Sequence, residues 1–304
     1  TKGLMVTGII ILLSSICTYF ISRQALLPLR RLSQEVNKIE AQNLSKTLEV
    51  PATNDEISRL TISFNKMLAR LDEAFTAQKQ FSANAAHELR TPLAVIQTNL
   101  EVFARREAPA LKDYQEIFAM LQEQTGRLSH LAEILLDMTG VQTVERSERI
   151  SLAALTDEVF CDLASVTEQK DVELIQQEGD CIITGSYLLL YRAVYNLVEN
   201  AIKYNHSGGK VTVNIHLSEE ITDTSASVNY VFLEVSDTGI GIPPEYQEKI
   251  FTPFFRVDKS RSRAMGGAGL GLALVSEIVR QHNGQVKVLE SSKKGSVIAI
   301  MLPV

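Results

Sequence analysis

The stretch Phe81–Ile96 reads FSANAAHELRTPLAVI and combines a helical apolar pattern with a histidine followed by a glutamate. Its apolar residues recur at spacings of three and four, which predicts a helix with one buried face. His87 lies on a second stripe with Thr91, on another face of that helix. An imidazole that faces away from the core beside the carboxylate of Glu88 is suited to phosphoryl chemistry. For an isolated pair of this kind, a surface histidine without a function is the simpler interpretation.

The composition excludes some classes of protein. The chain has 304 residues, enough for two or three domains, and a net charge of −6. It contains no long basic run and no alternation of basic and aromatic residues, so we expect no nucleic-acid partner. Cys17, Cys161 and Cys181 make an odd number without metal-binding spacing, which predicts reduced, buried thiols. Because the first residue is Thr rather than Met, we expect the natural protein to extend further upstream.

The N-terminal segment is strongly apolar. Gly3–Ser22 contains twenty consecutive uncharged residues, and as a helix it would span about 30 Å, the thickness of a bilayer core. Arg23 and Arg30 follow it, whereas Lys2 alone precedes it. We therefore predict a transmembrane helix over residues 1–23, with the region after residue 23 in the cytoplasm. A secretory signal is the competing interpretation, but no small-residue cleavage site follows.

Residues 24–76 are predicted to form two amphipathic helices joined by an extended connector at Asn43–Asn54. The connector is polar and contains Pro51, which disfavours a helix there. The second helix begins near Asp55 and has the apolar spacing of a coiled coil. That spacing is shown by Ile57, Leu60, Phe64, Met67, Leu71 and Ala74. It continues into Phe81 without a break, so one rod would reach the histidine. A plain coiled-coil stalk is the alternative.

Residues 77–146 are predicted to form a helical hairpin. The histidine-bearing helix runs to about Glu107, Ala108–Ala110 is a turn, and a second helix follows from Leu111. Two helices with one apolar stripe each cannot close a core by themselves, so we predict a homodimer with a four-helix bundle.

From residue 147 the pattern changes to mixed helices and strands. Helices are predicted at Leu152–Lys170, Tyr187–Tyr204 and Leu270–His282. Strands are predicted at Val172–Ile175, Cys181–Thr184, Val211–Leu217, Val228–Ser236, Gln285–Glu290 and Gly295–Leu302, with a polar insert at Ser218–Ala226. Strict β-α-β alternation is lacking, so residues 147–304 are expected to form an α+β sandwich with an antiparallel-rich sheet.

Two blocks in this region have residues suited to a nucleotide. Asn196 and Asn200 are four residues apart on one helix face, which Lys203 extends. An Asn oxygen can bind Mg²⁺, a lysine can bind phosphate, and the ring of Tyr204 can pack on a base. Asp237 follows a predicted strand, and its carboxylate can accept a hydrogen bond from the amino group of adenine.

The glycines and basic residues complete this pattern. Gly239 and Gly241 permit a tight turn after Asp237, and Arg256 begins a basic loop suited to a triphosphate. A final block opens a predicted helix, whose N-terminal amides can bind phosphate. This block contains Gly267, Gly269, Leu270 and Gly271. It fits neither the Rossmann pattern nor a Walker A motif.

Across nearly its whole length, the chain resembles the membrane-anchored sensor histidine kinases of two-component systems. The HELRTPL string resembles their phosphoacceptor box, and residues 24–76 resemble a HAMP linker. Their N, G1, F and G2 boxes, which form an ATP site like that of gyrase-type ATPases, match four segments here. These are Asn196–Tyr204, Asp237–Pro243, Phe251–Arg256 and Gly267–Gly271.

The resemblance implies specific roles. His87 would be the phosphoacceptor, Glu88 its acid–base partner, and Thr91 the threonine of an E-x-x-T phosphatase signature. Asn200 would bind Mg²⁺ and Asp237 would recognise the adenine of ATP. The segment Val257–Ala268 would form a lid over ATP, and a response regulator would dock near Thr98 and Glu101.

The resemblance also implies a homodimer in the bacterial cell membrane, in contact with lipid. Two other classes remain open: a gyrase-like or mismatch-repair-like ATPase motor, which needs no His–Glu helix, and a receptor dimer without catalytic activity.

Overall fold

The structure is a computed structural model that describes residues 2–39, 45–51, 56–141, 144–221, 227–257 and 268–304. The chain divides into two compact units, Thr1–Ala83 and Asn84–Val304.

The first unit begins with helix α1, Lys2–Val36. The predicted apolar segment and the amphipathic segment after it therefore belong to one helix. Among the residues that the structure describes, no helix is both long enough and apolar enough to span a membrane.

The connector packs against the start of helix α2, which runs over Glu56–Ala104. Leu48 is buried, and its backbone N–H and C=O both bond the Asn65 side chain at 2.9 Å. The Ser58 hydroxyl donates to the Pro51 carbonyl at 2.8 Å. The expected helix that starts near residue 55 and continues through the histidine is confirmed. Residues 43–44 and 52–54 of the predicted connector lie outside the described residues.

Helix α2 ends three residues before the predicted Glu107, and helix α3 covers Leu111–Gly140. The turn between them is closed by polar and aromatic contacts. The Asp113 carboxylate accepts the Ala110 N–H at 2.8 Å and pairs with Arg106, and both contacts lower the pKa of Asp113. The rings of Phe103 and Tyr114 meet edge to face at 5.1 Å.

The C-terminal region is the expected α+β sandwich. Its helices are α4 (Leu152–Lys170), α5 (Tyr187–Lys203) and α6 (Gly271–Gln281). Its strands are β1 (Glu148–Ser151), β2 (Val172–Gln176), β3 (Ile182–Gly185), β4 (Gly209–Ile221), β5 (Ser227–Asp237), β6 (Gln285–Ser292) and β7 (Gly295–Pro303). The main sheet has the order β2-β4-β5-β7-β6, and β1 pairs with β3. Within the main sheet only β2 and β4 are parallel, so the antiparallel-rich prediction is confirmed.

The core lies between this sheet and the three helices. Leu155 and Val159 of α4, Leu197 of α5 and Ile278 of α6 are almost completely buried, as is Leu233 of β5. Burial of each such side chain contributes about 1.5–3 kcal/mol. The helices are therefore held by their apolar faces, as the sequence pattern predicts.

Two strand predictions were incomplete. The sequence pattern missed β1, because this four-residue strand has one buried residue, Ile150, and carries no periodic signal. The predicted insert Ser218–Ala226 is also too long, because β4 and β5 stay paired to Ile221 and Ser227. Backbone pairing of two strands needs no apolar pattern, so polar residues there do not end the ladder. Residues 222–226 lie outside the described part.

The prediction of three buried cysteines was wrong for two of them. All three are free, but Cys17 and Cys161 are exposed and only Cys181 is buried. Cys161 lies on α4 away from the side that Val159 and Leu163 bury. Burial raises the pKa of the Cys181 thiol, which keeps it protonated.

Within the second unit, the end of α3 contacts the sandwich. Asp137 of α3 forms an ion pair with Arg192 of α5, and α3 also touches α6. Val141, directly after α3, is fully buried, and its carbonyl accepts a hydrogen bond from Arg146 at 3.2 Å. The hairpin of α2 and α3 and the sandwich thus share a packed junction at the end of α3.

Candidate functional site

His87 is exposed on α2, as predicted. It borders a groove of about 490 Å³ that is also lined by Thr91 and Thr98. The groove wall includes the apolar side chains of Ala94 and Val95, so a partner protein could bury them there. The expected docking region near Thr98 therefore lies in an accessible groove on one helix face.

The hydroxyl of Thr91 donates to the His87 carbonyl at 3.2 Å. This is the backbone bond that a threonine before a proline forms when its role is local. Thr91 is nevertheless exposed, and its side chain lies on the groove beside the histidine. Glu88 is half-buried on the same helix.

Asn196 and Asn200 are held in fixed orientations on α5. The side-chain amide of Asn196 donates to the Arg192 carbonyl and that of Asn200 to the Asn196 carbonyl, each at 2.8 Å. Because each nitrogen is used, the Oδ1 atom is the one presented to a ligand. Gly271 lies against this pair: a β-carbon there would be 2.5 Å from Asn196 Oδ1. The structure thus brings the first and last sequence blocks together.

Asp237 lies half-buried at the end of β5. Its carboxylate accepts the Gly239 N–H at 2.7 Å and also the Ser296 N–H. Burial raises the pKa of this carboxyl, and the two backbone hydrogen bonds oppose that rise. A half-buried acceptor held by two amides is well suited to bond one donor of a ligand.

The turn after Asp237 packs on the end of α5. The Ile240 N–H donates to the Tyr204 carbonyl at 3.3 Å, and Gly239 has no room for a β-carbon against that carbonyl. Thr238 accepts the Lys210 N–H at 2.9 Å. These contacts place the second block next to the first.

Gly269 joins the third and fourth blocks. It has a φ of +72°, which an L side chain rarely adopts, and its carbonyl accepts the Phe254 N–H at 2.8 Å. Leu270 is 1% exposed, so its side chain belongs to the core. Helix α6 then begins without a side-chain cap, which leaves its first amides available for an anion.

Arg256 lies against Gly269, just before this helix start, and Lys203 interacts electrostatically with Arg256. The Nε and Nη2 atoms of Arg256 are buried and have no hydrogen-bond partner within the described part of the chain. Burial lowers the pKa of Lys203, and Arg256 lowers it further, although Glu199 raises it. The Lys203 ammonium also lies 5.9 Å from the centre of the Tyr204 ring. Unsatisfied guanidinium nitrogens next to a second cation fit a site for an anionic ligand.

Gly267 and residues 258–266, which make up most of the expected lid, lie outside the described residues. Across the ranges that are described, no group of three or more His, Cys, Asp or Glu residues could hold a metal ion. A Mg²⁺ ion that keeps water and phosphate ligands needs no such group, so Asn200 fits the predicted role.

Sequence reasoning missed two residues beside Asp237. Ser291 and Ser296 lie in β6 and β7, and their hydroxyls are 2.9 Å apart. Serines in strands carry no periodic signal, and their closeness arises only from pairing across a hairpin.

Comparison with family models divides the chain into three parts. Residues 20–73 match the HAMP domain, and residues 77–143 match the His Kinase A (phospho-acceptor) domain. Residues 185–304 match the histidine kinase-, DNA gyrase B- and HSP90-like ATPase family.

Two curated relatives match most of this chain. Sensor histidine kinase CusS of Escherichia coli is 30% identical over 279 residues, which are 91% of this chain and 56% of CusS. Signal transduction histidine-protein kinase ArlS of Staphylococcus aureus is 30% identical over 297 residues, 95% of this chain and 63% of ArlS. The chain therefore spans less than two thirds of the length of these relatives.

Two solved structures share the fold. Histidine kinase AdeS of Acinetobacter baumannii has a TM-score of 0.54 at 23% identity, over 71% of this chain and 97% of AdeS. Histidine kinase ThkA, solved in complex with the response regulator protein TrrA, has a TM-score of 0.59 at 21% identity, over 82% of this chain and 68% of that chain. With HAMP, phosphoacceptor and ATPase domains in this order, the chain belongs to the sensor histidine kinase family.

Proposed function

We propose that the protein is an ATP-dependent protein-histidine kinase that phosphorylates His87 and passes the phosphoryl group to an aspartate of a response regulator. The observation that carries this proposal is the convergence of Asn196, Asp237 and Gly271. They come from three separate sequence blocks. Asn196 of α5 is in contact with Gly271 at the start of α6, and the turn after Asp237 is bonded to the Tyr204 carbonyl at the end of α5.

The half-buried carboxylate of Asp237 would select adenine. As an acceptor it can bond the adenine amino group, whereas guanine presents a carbonyl at that position and would be repelled. Gly239 and Gly241 let the turn pack tightly against the Tyr204 and Ser292 carbonyls, which would hold Asp237 in place for the base. This assigns ATP rather than GTP as the substrate.

The phosphates would be bound by the N-terminus of α6, with Arg256 and Lys203 as cationic partners. The amide oxygen of Asn200 would bind Mg²⁺, which neutralises phosphate charge during transfer. Tyr204 would pack near the nucleotide, and Gly267 would belong to the phosphate-binding loop. The unpartnered Arg256 nitrogens and the uncapped helix support these assignments.

In the reaction, one nitrogen of the neutral His87 imidazole attacks the γ-phosphorus of ATP, and ADP leaves with the bridging oxygen. Glu88 accepts the proton from the other ring nitrogen, so the product is a phosphohistidine whose imidazole ring carries no charge. The protein's contribution is placement of the two reactants and neutralisation of charge. The exposed position of His87 allows the nucleotide domain, and later a regulator, to reach it.

We propose that the response regulator docks on the groove between His87 and Thr98, with Glu101 at its edge. The apolar groove wall supports this docking site. A second support is that histidine kinase ThkA, which shares the fold, was solved in complex with a response regulator protein. Thr91 would act there in dephosphorylating the regulator.

We further propose that the chain is a homodimer through residues 77–146. Several large apolar side chains of α2 and α3 are exposed in one chain, in keeping with a bundle that needs a partner. These include Leu93, Leu100, Val102, Phe118 and Leu136. Residues 147–304 would form the catalytic domain.

The HAMP match supports a membrane-anchored kinase, with residues 24–76 as the linker domain. We propose that residues 1–23 cross the membrane of a bacterial cell in contact with lipid, because Gly3–Ser22 is free of charge. Fractionation of cells that express residues 1–304 or 24–304 tests this. Equal recovery of both forms in the membrane fraction contradicts the anchor.

The kinase proposal is tested by incubation of the full chain with Mg²⁺ and ATP labelled at the γ-phosphate. The expected product is a protein-bound label that acid removes and base does not. His87→Ala should abolish labelling but keep ATP binding, and His130→Ala, which changes an exposed histidine of α3, should leave both unchanged.

Asn200→Asp should bind Mg-ATP poorly and fail to label itself, yet supply His87 as an acceptor to a partner chain. Mixed dimers of Asn200→Asp and His87→Ala then show whether transfer occurs within or between chains.

ATP hydrolysis without labelling would favour the ATPase motor, and absence of nucleotide binding would favour a receptor without catalysis.

A further inference from the structure

The hairpin of β6 and β7 lies directly against the turn that carries Asp237. Asp237 pairs with Ser296 in the antiparallel ladder, and the Ser296 N–H bonds the Asp237 carboxylate. The approach is close on both sides. A β-carbon on Gly295 would overlap the Asp237 carbonyl, and one on Gly241 would overlap the Ser292 carbonyl. Any shift of the hairpin would therefore move the Asp237 turn.

A β-bulge determines which residue of β6 faces this turn. Val288 pairs with Ile298, but Glu290 pairs with Val297, so one extra residue stands between them. Without the bulge, regular pairing would place Glu290 opposite Ser296. With it, Ser291 takes that position and Glu290 is exposed. Bulges of this kind redirect side chains next to functional sites.

Ser291 connects the hairpin to the turn through its hydroxyl. Its Oγ accepts the Ile242 N–H at 2.7 Å and lies 2.9 Å from the Ser296 Oγ. The same Ser296 is nearly completely buried and holds the Asp237 carboxylate through its backbone. The Ser291 hydroxyl thus joins the end of the turn after Asp237, at Ile242, to β7, the strand whose Ser296 supports the Asp237 carboxylate.

We propose that Ser291 is a positioning residue for base recognition, which holds the Asp237 turn in the geometry that bonds the adenine amino group. This inference rests on the proposed binding of ATP. Loss of the Ser291 hydroxyl would leave the Ile242 N–H without its acceptor and free the turn from the hairpin. The consequence would be a loss of discrimination for the adenine amino group, with the phosphate contacts intact.

The test compares the affinity of the full chain for ATP and for ITP by calorimetry. In ITP, a carbonyl oxygen replaces the amino group that Asp237 would bond, as in guanine. Ser291→Ala should weaken ATP binding about tenfold, equal to ~1.4 kcal/mol, and ITP binding less than about twofold. Ser291→Thr, which keeps the hydroxyl, should restore the preference, and Ser129→Ala, which changes an exposed serine of α3, should change neither affinity.

If Ser291 has only a structural role, Ser291→Ala should lose ATP and ITP affinity equally, and that result would overturn the proposal. An unchanged preference for ATP in Ser291→Ala would also overturn it. If Ser291→Ala does not fold, Ser291→Cys provides a nearly isosteric replacement with a weak acceptor, and the same two results apply to it. Wild-type protein that binds neither nucleotide contradicts the proposed function and this inference together. If wild-type protein prefers ATP and Ser291→Ala keeps that preference, only the inference about Ser291 is contradicted.

Discussion

Gly271 and Asn196 are in direct contact: a β-carbon on Gly271 would lie 2.5 Å from the side-chain oxygen of Asn196. Asn196 cannot easily move away, because its amide nitrogen is bonded to the Arg192 carbonyl at 2.8 Å. The start of α6 and the ligand-bearing face of α5 are therefore packed without spare room.

This contact predicts that Gly271→Ala weakens Mg-ATP binding. Overpacking at a tight contact costs about 1–3 kcal/mol, so we expect a loss of roughly tenfold or more in affinity, measured by calorimetry. Gly126→Ala is the matched control, because a β-carbon at Gly126 of α3 meets nothing within 4 Å. That variant should bind ATP normally. Equal affinity of Gly271→Ala and wild type would show that the two helices adapt.

Asp237→Ala should remove the preference for ATP over GTP. The lost charge-assisted hydrogen bond is worth about 1.5–3 kcal/mol, so ATP affinity should fall by roughly tenfold or more while GTP affinity changes little. Asp157→Ala, which removes an exposed carboxylate of α4, controls for the change in net charge. Titration of both nucleotides provides the measurement. Wild-type protein with equal affinity for ATP and GTP would refute the adenine assignment.

Thr91→Ala separates two roles for a hydroxyl that bonds the His87 carbonyl. If Thr91 positions water for dephosphorylation of the regulator, the variant should label itself normally and dephosphorylate the regulator about tenfold more slowly, a change of ~1.4 kcal/mol. If the bond is only structural, both activities and the unfolding temperature should fall together. Thr125→Ala serves as the control, because the hydroxyl of this exposed threonine of α3 makes the same kind of bond, to the Leu121 carbonyl at 2.7 Å, outside the groove.

His282 predicts a pH dependence of stability. Its Nε2 accepts the Ser186 N–H at 3.1 Å, so its Nδ1 carries the hydrogen that bonds the Ile278 carbonyl at 2.8 Å. Burial lowers the pKa of this imidazole, and the neighbouring Arg146 lowers it further, although the bond to Ile278 raises it. The neutral ring thereby ties the end of α6 to the start of α5.

The sign of this dependence follows from the direction of the shift. His282 binds a proton more tightly in the unfolded chain than in the folded protein. The stabilisation that the neutral ring gives to the folded protein is therefore complete above the unfolded pKa near 6.5, and it is lost as the pH falls below that value. Calorimetry should show the unfolding temperature of wild type decreasing more steeply from pH 7 to pH 5 than that of His282→Gln. Parallel curves for the two proteins would contradict this role.

Several features could be read from local patterns because they depend on residues close together in the chain. The spacing of Phe81, Leu89 and Ile96 predicts both the helix and the outward position of His87, and the structure confirms them. The bounds of α4 also follow from the sequence, because its apolar period and its Ser151 cap are local.

Local patterns were insufficient where exposure depends on what packs nearby. Cys161 is apolar enough to suggest burial, but it falls on the side of α4 that nothing covers. Leu270 occupies a phosphate-loop position in sequence, yet its side chain is in the core. β4 and β5 stay paired through polar residues as far as Ile221 and Ser227, because backbone hydrogen bonds hold the ladder and leave no signal in the apolar pattern.

The sequence by itself determined the order of the domains, the helix that presents His87 and the residue types of the nucleotide site. These follow from periodicity, motif spacing and chemical character within short segments. Only the tertiary structure decided that Gly271 contacts Asn196 and that Ser291, turned inward by a bulge, bonds the Asp237 turn. Such contacts join residues about 50 or more positions apart, and their geometry is set by helix packing and strand register, which no local pattern specifies.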